Sequence, residues 1–176
     1  MSKQDAIAWT GRREEGWYPG NRPQDPNPTL NGVIQTTYDW YRDKVGRPRQ
    51  SVRLMTPQEQ GEIYASFWSR AHCDEVLKAQ GRAAAAIHFD TAFNAGGAQA
   101  IKILQKCLGV FADGIWGPTT FKALSLQSSD LPERLLWARL RYYEEISRAR
   151  PNLRPNLLEW LDRTLDLRDH FVLGGA

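Results

Sequence analysis

Cysteine and histidine are scarce in this 176-residue sequence, with two of one and three of the other. Cys73 and Cys107 stand 34 residues apart, which fits neither a metal-ligand nor a redox spacing. Two free thiols or one disulfide both remain compatible with that pattern. His72, His88 and His170 are scattered, and His88 falls in an apolar stretch where a satisfied core histidine is the expected role. No Ser/His/Asp or Cys/His arrangement emerges, and no metal or organic cofactor is expected. Gly96-Gly97 lacks both the spacing and the lysine of a phosphate-binding loop. Long basic runs, zinc-finger spacing and RNP-like aromatic motifs are missing too, so no nucleic-acid partner is expected. Nor is there an apolar run of membrane-spanning or signal-peptide length, which predicts cytoplasmic synthesis and no stable membrane insertion.

Charge excess is small. The formal net charge is +3, and all of it falls in residues 1–55, where nine Lys/Arg face six Asp/Glu. A front-loaded basic excess suits an anionic partner, although three charges decide little. What the sequence does hold is aromatics: seven Trp, six Tyr and six Phe, enough to fill a core and leave rings for stacking. Its length suits one compact domain, or a domain with an appended subdomain.

The periodicity is helical almost throughout. Lys3 to Glu14 predicts a short helix stopped at Gly16. Residues 19–32, with four Pro, three Asn and two Gly, predict a long loop without secondary structure of its own. A helix begins near Thr36 or Thr37 and carries Tyr38 and Tyr41. Thr56-Pro57-Gln58-Glu59 is a capping box with Pro in the first turn, followed by Ile63, Tyr64, Phe67 and Trp68 on one face. Further helices are predicted over Ala83–Phe93 and Ala98–Leu108. A turn at Asp113-Gly114 precedes helices starting at Pro118 and Asp130, and a last one covers about 156–170. At most, residues 32–35 or 110–115 pair as strands. The fold class is mainly α.

One local pattern suggests chemistry. In Glu14-Glu15-Gly16-Trp17-Tyr18, a carboxyl sits at the carbonyl end of a helix, where the macrodipole disfavours a negative charge. Burial against Trp17 or Tyr18 would add desolvation in the same direction. Both effects favour the protonated carboxyl, the form a glycosidic general acid needs near neutrality. Two solvated glutamates at a helix end are the competing reading.

Together with the Pro/Asp-rich loop and the segment Thr29-Leu30-Asn31-Gly32-Val33-Ile34-Gln35-Thr36-Thr37-Tyr38-Asp39, this stretch resembles glycoside hydrolase family 108. The similarity continues through Leu54-Met55-Thr56, Ile63-Tyr64, Phe67-Trp68 and Phe89-Asp90-Thr91-Ala92-Phe93-Asn94-Ala95-Gly96. Beyond it, Leu104-Gln105, Leu108-Gly109, Asp113-Gly114 and Gly117-Pro118 with Thr120 resemble the peptidoglycan-binding segment that accompanies the family. Trp17 departs from a usual Gly, Asn27-Pro28 from a usual Gly-Gly, and Ile34 from a usual Thr.

The resemblance implies a lysozyme-like helical fold and cleavage of peptidoglycan glycan strands between N-acetylmuramic acid and N-acetylglucosamine by an endolysin-like muramidase. It implies a catalytic half over residues 1–86 and a helical peptidoglycan-binding half over 87–176, packed with the first as one unit or forming a subdomain. Glu15 matches the family's catalytic glutamate. Asp25 is a candidate second carboxylate, competing with a turn-forming role before Pro26; the separation of two such carboxyls would distinguish retention from inversion. Thr29 is a candidate to hold the attacking water or to cap a turn. Tyr18 and Asn94 are candidates to line the sugar cleft, against packing or capping. Asp90 is expected to hold structure through buried hydrogen bonds. The protein is expected to be a monomer that reaches the wall in the periplasm after release or dedicated export. The alternative is a catalytically inactive wall-binding or secretion-activating protein.

Overall fold

The computed structural model describes residues 3–21 and 26–174. Among these, eight α-helices and one small sheet make a mainly α protein. Helix α1 (Lys3–Arg13) leads into strands β1 (Trp17–Tyr18), β2 (Thr29–Leu30) and β3 (Val33–Ile34). Then follow α2 (Gln35–Lys44), α3 (Pro57–Arg70), α4 (Cys73–Ala95), α5 (Gly97–Leu108), α6 (Pro118–Ser125), α7 (Leu131–Ala149) and α8 (Leu157–Phe171). No helix among the described residues is long and apolar enough to cross a membrane.

The strands differ from expectation. They pair antiparallel in the order β1-β2-β3, with Tyr18 opposite Thr29 and Leu30 opposite Val33. Residues 19–32 are therefore not wholly irregular, and of the two stretches considered for pairing only 32–35 contributes. Asn31 and Gly32 both adopt positive φ, 47° and 72°, the requirement of a two-residue type I′ hairpin. Residues 110–115 form no strand. Instead the Gln105 side chain holds that loop, donating to Asp113 Oδ1 (2.8 Å) and accepting from the Gly114 amide (2.8 Å).

The chain divides into two compact units, Ile7–Ser66, and Phe67 onward together with the first residues of α1. Trp9, Val33, Tyr38, Tyr41, Val52, Ile63 and Tyr64 are buried in the first unit. The predicted capping box forms there: the Glu59 amide meets Thr56 Oγ1 at 3.3 Å, and Glu59 Oε2 accepts from the Thr56 amide at 3.0 Å. The same buried carboxylate accepts from Tyr38 (2.8 Å) and Arg42 (2.7 Å). Burial alone would raise its carboxyl, but these donors outweigh it and hold Glu59 at about 2.

The second unit is built on α4, whose helical geometry breaks at Gly81 (φ 77°). Beyond the break, Ala84 to Ala92 is buried without interruption, the small residues letting neighbouring helices approach. Each large apolar side chain buried there contributes on the order of 1.5–3 kcal/mol. Asp90 is wholly buried and, as expected, structural. Arg139 Nη1 and Arg163 Nη2 each donate to it at 2.6 Å. The two guanidiniums overcome the effect of burial and hold Asp90 at about 2. His88 contacts the Ala71 carbonyl at 2.8 Å, and burial pushes its imidazole down to about 4. Both thiols are free, and burial raises each of them.

Candidate active site

The segment carrying Glu15 is shaped by what flanks it. Helix α1 ends at Arg13, and the Glu14 amide closes the last turn on the Gly11 carbonyl at 3.2 Å. Gly16 follows with φ 128°, which side-chain-bearing residues rarely adopt; an added Cβ would meet nothing within 4 Å. Conformation, rather than space, therefore calls for glycine there. This turn swings the chain from α1 into β1.

Asn31 secures the turn. Its Oδ1 accepts from the Gly16 amide at 3.0 Å, and its own amide donates to the Gly16 carbonyl at 2.9 Å. Asn31 is itself held by Nδ2 donating to Gln60 Oε1 (2.9 Å) and by the Tyr64 hydroxyl donating to its carbonyl (2.7 Å). Every polar group of Asn31 is thus engaged, and two of its partners lie on α3. The residue stood in the quoted Asn-Gly segment, yet no site role was expected of it. The turn signal was there to be read: Asn-Gly between two short apolar pairs is a strong hairpin sequence.

Glu15 is exposed. The burial expected against Trp17 or Tyr18 is not found. Trp17 is itself 38% exposed and faces the Arg53 guanidinium at 5.5 Å. Tyr18 and Thr29, both half-buried, are brought together as a directly opposed pair across β1 and β2. Thr29 Oγ1 donates to the Asn27 carbonyl at 3.0 Å, leaving its lone pairs to accept from water. Gly20 (φ 74°) lets residues 26–28 pass close by: a Cβ there would stand 2.6 Å from the Pro26 carbonyl oxygen. Asp25 lies outside the described residues. Asn94 belongs to the second unit, where it is exposed at the end of α4 and donates to the Asp90 carbonyl at 2.9 Å.

The mainly helical chain with its one small antiparallel sheet, among the described residues, has a lysozyme-like fold. Residues 8–96 match the family described as Glycosyl hydrolase 108, and residues 99–165 match a Predicted Peptidoglycan domain. The chain belongs to glycosyl hydrolase family 108. Its fold is similar to a solved structure described as Brucella abortus SagA, with a TM-score of 0.78 and 24% identity over 97% of this chain and 93% of that one. No curated protein sequence matches it significantly. Family and second segment together mark a hydrolase-like protein that acts on peptidoglycan. The family segment does not coincide with a compact unit, since its last thirty residues, 67–96, lie in the second.

Proposed function

We propose that this protein is a muramidase in which Glu15 is the general acid. The carboxyl donates its proton to the glycosidic oxygen between N-acetylmuramic acid and N-acetylglucosamine as that bond breaks. Water then adds to the anomeric carbon and restores a proton to the enzyme. The observation that carries this reading is the clamp of Asn31 on Gly16, which fixes the backbone beside an acid that is open to a large substrate. An exposed carboxyl keeps its water until a glycan covers it. Thr29 Oγ1 and the Tyr18 ring, opposed across the sheet, serve the attacking water and the sugar face. Asp25 steadies the positive charge that develops on the ring. Catalysis falls to the first family segment and polymer recognition to the second. The protein works as a monomer on the wall outside the cytoplasm.

Digestion of purified peptidoglycan followed by mass spectrometry tests the assignment. The expected products end in reducing N-acetylmuramic acid. Reducing N-acetylglucosamine ends would make the protein a glucosaminidase, and 1,6-anhydro ends would make it a transglycosylase. A second reading, wall binding without cleavage, is favoured by the exposure of Glu15 and by Trp17 at a position where the family usually has glycine. Co-sedimentation with the wall polymer and no products at all would support it.

A further inference from the structure

Helix α7 turns one aromatic side chain outward. It buries Leu131, Leu135, Leu136 and Arg139, yet leaves the Trp137 indole 65% exposed. A groove of about 350 Å³ runs beside that indole between α5 and α7, lined by Lys106, Cys107, Arg134, Trp137, Arg141 and Tyr142 among others. Two further depressions, of about 290 and 390 Å³ and reaching toward α8, share the same indole. Large exposed aromatics set in concave surface are a common mark of binding sites.

The groove's charges are unevenly committed. Arg134 is spent on the scaffold: its Nη1 donates to the Cys107 carbonyl and its Nη2 to Gln127 Oε1, both at 2.7 Å. Lys106 and Arg141 are exposed and form no ion pair among the described residues. Glu145 is the one acid in the lining. Three cations against one carboxylate, two of them uncommitted beside a pair of aromatic rings, fit a ligand with both an apolar face and a negative group. A pyranose ring presents its C–H face to an indole, and a carboxylate matches a guanidinium fork or an ammonium.

We propose that the groove between α5 and α7 is a docking subsite for carboxylate-bearing peptidoglycan. A sugar ring stacks on Trp137, and a carboxylate of the stem peptide is held by Arg141 and Lys106. The inference rests on peptidoglycan being the polymer this protein meets, as proposed above, but it does not require cleavage.

The test is co-sedimentation of the full chain with purified peptidoglycan, in a Glu15→Gln background so that the polymer is not consumed. Trp137→Ala and Arg141→Glu are each expected to raise the half-saturating concentration about tenfold, the usual consequence of losing a ~1.4 kcal/mol contact, while melting temperatures stay unchanged. Phe111→Ala, at an 86% exposed ring outside this groove, is expected to bind like the parent. Unchanged binding by both groove variants overturns the proposal. So does binding to chitin, which has no carboxylate, as tightly as to peptidoglycan. A concentration-dependent dimer that Trp137→Ala abolishes would give the groove to a second copy of the chain and overturn it as well. The two readings fail separately. If groove variants lose binding while the wild type releases no reducing ends, the subsite stands and the muramidase falls. If reducing ends appear and groove variants bind normally, the reverse holds.

Discussion

Gly16 and Asn31 exchange two hydrogen bonds, amide to side-chain oxygen at 3.0 Å and amide to carbonyl at 2.9 Å. The pairing joins the turn after Glu15 to the tip of the β2–β3 hairpin, and through Gln60 and Tyr64 to α3. A carboxyl on an otherwise unsupported turn would sample many positions, whereas general acid catalysis needs one.

Under the proposed function, Asn31 positions Glu15. Asn31→Ala removes the acceptor for the Gly16 amide and sets a non-glycine residue without compensating polar contacts at φ 47°. We expect kcat on peptidoglycan to fall at least about tenfold with little change in KM, and stability to drop by roughly 1–3 kcal/mol. Asn31→Asp keeps the acceptor and loses the bond to Gln60, so it should recover part of kcat. Loss of stability with kcat intact would give Asn31 a purely structural role.

Much of the helical framework was legible in local signals. Thr56-Pro57-Gln58-Glu59 starts α3 because each of its contacts lies within one turn; Asp130-Leu131-Pro132-Glu133 opens α7 with Pro in the first turn, but the Asp130 side chain makes no cap hydrogen bond. The sheet was harder to see, since two-residue strands are too short to show alternation, although the Asn31-Gly32 turn signal was present. The partners of buried charges lay beyond any local pattern: Asp90 meets Arg139 and Arg163, 49 and 73 residues further on. Of the site, Glu15 was marked by its family segment, and its exposure agrees with the solvated alternative rather than with burial against Trp17 or Tyr18.

Asp90 carries the largest expected stability effect. Asp90→Asn removes the carboxylate that both the Arg139 and Arg163 guanidiniums bond in the buried centre of the second unit. Breaking a buried pair in this way typically costs about 3–5 kcal/mol. Chemical denaturation at neutral pH measures it, and a loss below about 1 kcal/mol would mean that water relieves the cluster.

Glu59 governs acid stability of the first unit. Its carboxyl lies at about 2 in the folded chain against an ordinary 4.5, so the folded state favours the ionised form. The stabilisation is complete above about 4.5 and is lost as pH falls toward 2. Glu59→Gln should melt lower than the parent at pH 7, with the gap closing across that window. A gap that does not change with pH would contradict the assignment.

His88 acts in a neighbouring window. Burial holds the folded imidazole at about 4 against 6.5, so below 6.5 the unfolded chain binds the proton more readily. Stability should therefore fall as pH drops from 6.5 to 4, by up to roughly 1.4 kcal/mol per pH unit. His88→Gln, which can still donate to the Ala71 carbonyl, should flatten that slope. Denaturation midpoints at closely spaced pH values read it directly, and an unchanged slope would move the titration to another group.

The account depends most on the proton of Glu15. The direct measurement is the rate at which new reducing ends appear from purified peptidoglycan for the wild type and for Glu15→Gln, with melting curves beside them. We expect the variant to lose at least about a hundredfold in rate, as removal of a general acid does, while melting within a degree or two of the wild type because the side chain is exposed. An equally folded variant that releases reducing ends at the wild-type rate would remove Glu15 from the chemistry and the muramidase assignment with it.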